Sequence, residues 1–165
     1  MIKHPITTTL SGIPVYVDLI TSPASATIAQ QPHLVHLIKE MLETKKVSGA
    51  TVSVEHDFGR NIGNSDVVLT TEKDTILYAK RVKRDTFARF VRRRMPAPST
   101  FVSIVLLKDT DGEYELHDTW IGNLAPPFPG TTEATDESKA YWEDHALVLE
   151  GQPIQVRTLT KTCPY

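Results

Sequence analysis

"STFVSIVLLKDTDGEYELHDTWIG", Ser99 to Gly122, is the stretch on which the fold turns. Two apolar-rich runs flank "DTDG", and its Asp-Gly pair suits a tight hairpin turn because both residues tolerate positive φ. In the second run a period of two sends Tyr114, Leu116, Asp118 and Trp120 one way and Glu115, His117, Thr119 and Ile121 the other. Two antiparallel strands of a half-buried sheet are expected here.

Upstream, "ATVSVEHD", "DVVLTT" and "DTILYAKRV" read as further short strands, with "FGRNIGNS" as a turn region. "IPVYVDLI", Ile13 to Ile20, reads as a strand that runs into the loop "TSPASA". Between them, "QPHLVHLIKEMLETKK" places Leu34, Leu37, Ile38, Met41 and Leu42 at helical spacing, with His33 and His36 as surface or boundary residues. Downstream, "NLAPPFPGTTEATDES" reads as a lid or wall loop, "DESKAYWEDH" as one or two helical turns, and "HALVLE" and "IQVRTLT" as closing strands.

Charge is concentrated in "YAKRVKRDTFARFVRRR", Tyr78 to Arg94, which holds eight of the 18 Lys and Arg residues and one acid, Asp85. That segment carries +7 in a chain of net charge -2, leaving 10 basic and 19 acidic residues, or -9, elsewhere. Such density is suited to attracting a polyanion. Phe87, Phe90 and Val91 lie at spacings of three and four, so a helix is expected from Lys83 onward, with Arg84, Arg89, Arg92 and Arg93 on the arc away from them. Pro96 and Pro98 would stop it.

The fold class expected is α+β: an N-terminal helix and a basic helix packed on a mainly antiparallel sheet. A single domain over residues 1–165 is expected, with an N-terminal strand and helix in 1–48 and a sheet-forming core in 49–160. No apolar run approaches the roughly 18 residues that cross a bilayer, and "MIKHPITTTLSG" lacks the apolar stretch of a secretory signal. Cys163 is the sole cysteine and makes no internal disulfide, so a cytoplasmic protein with no membrane association is expected.

The chain has no HExxH, no CxxC and no phosphate-binding glycine loop, and "TLSGIP" is not a nucleophile elbow. Three histidines adjoin acids in "EHD", "LHD" and "EDH", but neighbours on a strand face opposite ways and do not converge on one ion. No metal and no cofactor are therefore expected. Histidine, arginine, lysine, threonine and tryptophan remain, a set suited to RNA cleavage by its own 2′-hydroxyl. That reaction needs a base, an acid and cations around the phosphorus.

"ILYAKRVKRDTFARFVRRR", "YELHDTWIGNLAPPFPG" and the element W-x-x-H-A-L-V in "YWEDHALV" together resemble a group of small bacterial and phage-associated proteins. The layout is similar to that of the barnase, RelE and colicin D group of RNase toxins, in which helices pack on a four-stranded antiparallel sheet. This resemblance implies a metal-independent site and points to Lys80, Arg81, Thr119, Trp120 and His145.

The expected activity is thus a metal-independent endoribonuclease, a candidate toxin domain. His145 would carry one proton and His117 or His56 the other. Lys80, Arg81 and Arg84 would stabilise charge on phosphorus, Arg89, Arg92 and Arg93 would hold the RNA backbone, and Thr119 would orient a phosphate oxygen. Trp120 or Trp142 would stack on a base. Because Trp120 is expected on the strand face opposite His117 and Thr119, it reads as the core residue and Trp142 as the partner of His145. The alternative is a non-catalytic module that binds nucleic acid or an acidic protein. RNA and an acidic protein partner or antitoxin are the partners expected.

Overall fold

The computed structural model describes residues 1–165. In chain order its elements are β1 (Lys3–Thr8), β2 (Pro14–Asp18), α1 (Pro23–Gln30), α2 (Leu34–Thr44), β3 (Thr51–Asp57), β4 (Gly63–Ser65), β5 (Val67–Leu69) and β6 (Ile76–Lys80). There follow β7 (Phe87–Val91), β8 (Ala97–Ser99), β9 (Phe101–Lys108), β10 (Tyr114–Ile121), α3 (Asp136–Asp144), β11 (His145–Val148) and a single 3-10 turn, Val156–Thr158. The fold class is α+β, with three helices and both antiparallel and parallel strand pairs. No helix is long and apolar enough to cross a membrane. The chain forms two compact units, Met1–Ile62 with Thr100–Leu124, and Gly63–Ser99 with Ala125–Tyr165.

The first unit is a five-stranded sheet in the order β1-β2-β10-β9-β3, parallel only between β2 and β10. Its apolar face, Val15, Val17, Val102, Ile104, Leu106, Leu116 and Ile121, is closed by Leu34, Ile38, Met41 and Leu42 of α2. The hairpin β9–β10 forms where the alternation and "DTDG" place it. A carboxylate oxygen of Asp109 accepts from the Asp111 and Glu113 amides, and this closes the turn.

Two local readings are corrected in this unit. "SPASA" is the start of α1 and not a loop: Pro23 opens the helix, where its missing N–H costs nothing, and the Ser25 amide donates to the Ser22 carbonyl. In β10 the period of two breaks once. Leu116 faces Leu106 and Asp118 faces Val105, so His117 is an extra residue bulged out of the ladder. Beyond it every side chain changes face: Thr119 and Ile121 turn into the core and Trp120 turns out.

The second unit has a four-stranded sheet, β5-β11-β7-β6, and a two-stranded ribbon of β4 with β8. One sheet face packs Ala79, Ala88, Phe90 and Leu147 against Phe128 and Trp142. The opposite face gathers Val68, Val91, Ala146 and Val148. Trp142 is carried by α3, whose first turn contains Asp136 and Glu137, favourable next to the positive helix end.

The expected basic helix is overturned. Phe87–Val91 is a strand, paired antiparallel with β6 from Ile76↔Val91 to Lys80↔Phe87. The three-and-four spacing of Phe87, Phe90 and Val91 suits a helix in isolation. The same residues also alternate as a strand, with Ala88 and Phe90 buried on one face, and aromatic and β-branched side chains favour the paired form. Pro96 ends no helix; it precedes β8, which contains Pro98.

Candidate functional site

Strand pairing splits the basic segment into two groups. Lys80, Arg81, Lys83 and Arg84 lie at the turn joining β6 to β7, and Arg92, Arg93 and Arg94 lie at the far end of β7. Five residues of strand at about 3.3 Å each set the groups roughly 13–17 Å apart. The turn is shaped by the C-terminal segment, where the Gln155 side-chain amide donates to the carbonyls of Arg81 and Arg84. At the other end Arg93 has φ 59°, its amide donates to Glu150, and the side chains of Arg92 and Arg93 are exposed.

Several of the cations are held within the unit. Arg89 donates from one Nη to Thr70 Oγ1 at 3.0 Å and to the His145 carbonyl at 2.9 Å. Arg94 pairs with Asp74 at 2.9 Å. Lys80 lies over the Phe87 ring and Arg81 over Phe128, at 5.4 and 5.5 Å. Charge remains biased toward this unit: it has 12 basic and 10 acidic residues, or +2, against 6 and 10, or -4, in the first.

His145 is the first residue of β11 and the cap of α3. Its Nδ1 is 2.9 Å from the Tyr141 carbonyl and 2.7 Å from Asp144 Oδ1, and its ring stacks on Tyr141 with centroids 3.9 Å apart and planes 6° apart. The imidazole is 24% exposed and Asp144 60%. Burial, reinforced by the Asp144 charge, pushes the Tyr141 phenol above its ordinary range, so it stays protonated. The row continues inward: Tyr141 meets Trp142 edge-on, Trp142 stacks on Phe128 at 4.1 Å, and Phe128 carries Arg81.

"EDH" therefore behaves differently from the strand argument applied to it. Asp144 ends a helix and His145 begins a strand, and at that junction adjacent side chains do converge. Trp142, 4% exposed with its indole N–H donating to the Pro126 carbonyl, is a core residue. Another cluster lies around Tyr78, whose phenol is pushed up by burial and by Cys163 beside it, while Arg89 acts the opposite way. Asp66, which accepts from Gln152 at 2.6 Å, has its carboxyl pushed up by burial despite that bond and the Arg81 charge.

The remaining expected residues belong to the first unit. His56 lies edge-on to Phe58, on the strand face that carries Val52 and Val54. His117 sits in the bulge with Nδ1 3.8 Å from Glu115. Thr119 is 1% exposed and donates to the Ser103 carbonyl, while Trp120 is half-exposed with its N–H on the Asn123 carbonyl. The expectation that Thr119 and His117 share a face, with Trp120 in the core, is reversed by the bulge. His145, Lys80, Arg81, Arg84, Arg89, Arg92, Arg93 and Trp142 fall in the second unit, and His117, His56, Thr119 and Trp120 in the first.

No group of three or more His, Cys, Asp or Glu side chains is placed to hold a metal ion. No family model matches the chain, and neither a curated protein nor a solved structure does.

Proposed function

We propose that the protein is a ribonuclease-like phosphodiester-cleaving protein, in which the basic hairpin β6–β7 draws in RNA and His145 carries a proton. The observation that carries this reading is the pairing of His145 with a carboxylate and a stacked tyrosine at a helix-to-strand junction. An imidazole oriented in this way by a third group is the form that proton-transfer sites take. The resemblance of the sequence to RNase toxins of the barnase, RelE and colicin D group belongs to the same proposal, as does a toxin role.

The test is incubation of the purified protein, and of a folded His145→Ala variant, with total RNA in excess EDTA. Cleavage by the parent and a fall of about 10²–10⁴ in the variant is expected. Intact RNA sinks the enzyme reading.

A second reading is favoured by Arg92 and Arg93, exposed at the end of β7 and apart from the basic turn. In that reading the unit binds a nucleic acid without cutting it, and affinity falls with salt while His145→Ala has no effect.

A further inference from the structure

A carbonyl oxygen only accepts hydrogen bonds. With Nδ1 of His145 2.9 Å from the Tyr141 carbonyl, the neutral imidazole carries its proton on Nδ1 and its lone pair on Nε2. Asp144 Oδ1, 2.7 Å from the same nitrogen, adds a negative charge where an imidazolium would share its proton. The Tyr141 ring, parallel to within 6°, fixes the plane in which Nε2 points.

We propose that His145 accepts a proton through Nε2, and that Asp144 and Tyr141 are positioning residues that hold it in the tautomer and plane for doing so. This rests on the ribonuclease reading. In that reaction the proton of a ribose 2′-hydroxyl passes to Nε2, the 2′-oxygen bonds to phosphorus, and the bond from phosphorus to the 5′-oxygen breaks. The departing oxygen takes a proton from water, leaving a 2′,3′-cyclic phosphate, and the imidazolium returns its proton to the hydroxide so formed. Asp144 accepts from Nδ1 and so stabilises the imidazolium.

The rival is a histidine that only caps a helix. Tyr141 lies in the last turn of α3, where carbonyls lack intrahelical donors, and a side-chain N–H there is stabilising whatever the chemistry. Both roles predict a loss of stability when the contact is removed. Only positioning predicts a loss of turnover in molecules that remain folded.

The experiment combines nitrogen NMR of the labelled imidazole with kcat and KM on a single-stranded RNA oligonucleotide, for the parent, Asp144→Asn, Asp144→Ala and Tyr141→Leu. The parent is expected to show Nδ1 protonated and Nε2 bare. Asp144→Ala should lower kcat about tenfold or more with KM within about twofold, the lower end of what a hydrogen bond to a charged group is worth, because Asp144 is largely exposed. Asp144→Asn should recover part of that loss, since the amide oxygen still accepts from Nδ1. Tyr141→Leu keeps the backbone carbonyl and should therefore keep the tautomer while lowering kcat.

A parent that cleaves RNA with its proton on Nε2, or an Asp144→Ala variant with unchanged kcat, overturns the positioning proposal alone. A parent that leaves RNA intact while showing the Nδ1 proton overturns the ribonuclease reading and the base role that rests on it, leaving the imidazole geometry standing.

Discussion

Deleting His117 should leave the protein folded and close to its normal stability, an outcome that ordinary strand reasoning would not expect. In β10 the flanking residues Leu116 and Asp118 already oppose Leu106 and Val105, neighbours on β9. Removal of His117 thus closes a regular ladder and keeps Thr119 and Ile121 in the core. Its side chain is 41% exposed and 3.8 Å from Glu115, so little packing goes with it. A change within about 1 kcal/mol is expected, or roughly 2–4 °C in Tm for a chain of this size.

Without a bulge in the native strand, Trp120 would already lie on the core face with Tyr114 and Leu116, and the same deletion would turn Trp120 outward and Thr119 inward. Withdrawing a large apolar side chain from the core would cost at least about 1.5–3 kcal/mol, and an inward-facing Thr119 hydroxyl without a partner would add about 1–3 kcal/mol. That sum approaches the roughly 5–15 kcal/mol that holds a whole domain together. Urea titration and a thermal melt separate the cases, with deletion of Trp120, which does shift the register, as the destabilised control. A His117 deletion that fails to fold, or melts more than about 10 °C lower, would refute the assigned register.

Trp142→Ala should cost about 3–5 kcal/mol in urea titration, because the indole is buried, stacked on Phe128 and bonded to the Pro126 carbonyl; a base-stacking role would instead appear as weakened RNA affinity at unchanged stability. Arg92→Ala with Arg93→Ala should flatten the dependence of log affinity on log salt for single-stranded RNA by about 1.4, at roughly 0.7 for each phosphate left without its arginine. Asp66 has its carboxyl pushed up by burial, so its contribution is most favourable at low pH and is lost as pH rises through the folded-state value. Asp66→Asn should therefore gain relative to the parent between acid and neutral pH, measured as the difference in Tm. Asp18 runs the other way: bonds from Thr21 and from the Ile20 and Ile2 amides hold its carboxyl down to about 2, so its stabilisation is present above the ordinary carboxylate range. It is lost as pH falls toward about 2, and Asp18→Asn should flatten that acid limb.

The parts of the fold that were legible are those where one signal dominates. The hairpin β9–β10 has alternation and a turn that agree, and α2 has five apolar residues at helical spacing that are all buried. The segment Phe87–Val91 supports two periods at once, and pairing with β6 decides between them, a contact that no local pattern encodes. The His117 bulge is equally silent in the sequence, since it shows only in the residue count against the opposing strand. At the site, residue types alone leave His56, His117 and His145 equivalent, and it is the resemblance carried by "YWEDHALV" that points to His145. The convergence of Asp144 on it depends on a helix ending and a strand beginning between two adjacent residues. Pro23 after Ser22 was a readable helix start hidden by the small, polar residues around it.

Each compact unit is made of two separate stretches of chain, and this has a consequence for synthesis. β3 finds its ladder partner only in β9, seven residues against seven, and the whole of residues 58–100 is made between them. At about 5–20 residues per second the strand is complete some 2–9 s before anything exists for it to pair with. Until β9 is made its backbone donors and acceptors have no ladder partner, and once clear of the ribosome they are open to other chains. "TVSVEHD" ends in Glu55, His56 and Asp57, and two carboxylates at the close of a β-branched run are the kind of residues that discourage such association. Their replacement by neutral residues would be felt in the yield of protein from the ribosome as well as in the finished fold, where Glu55 accepts from Asn123 and Asp57 from the Gly59 amide.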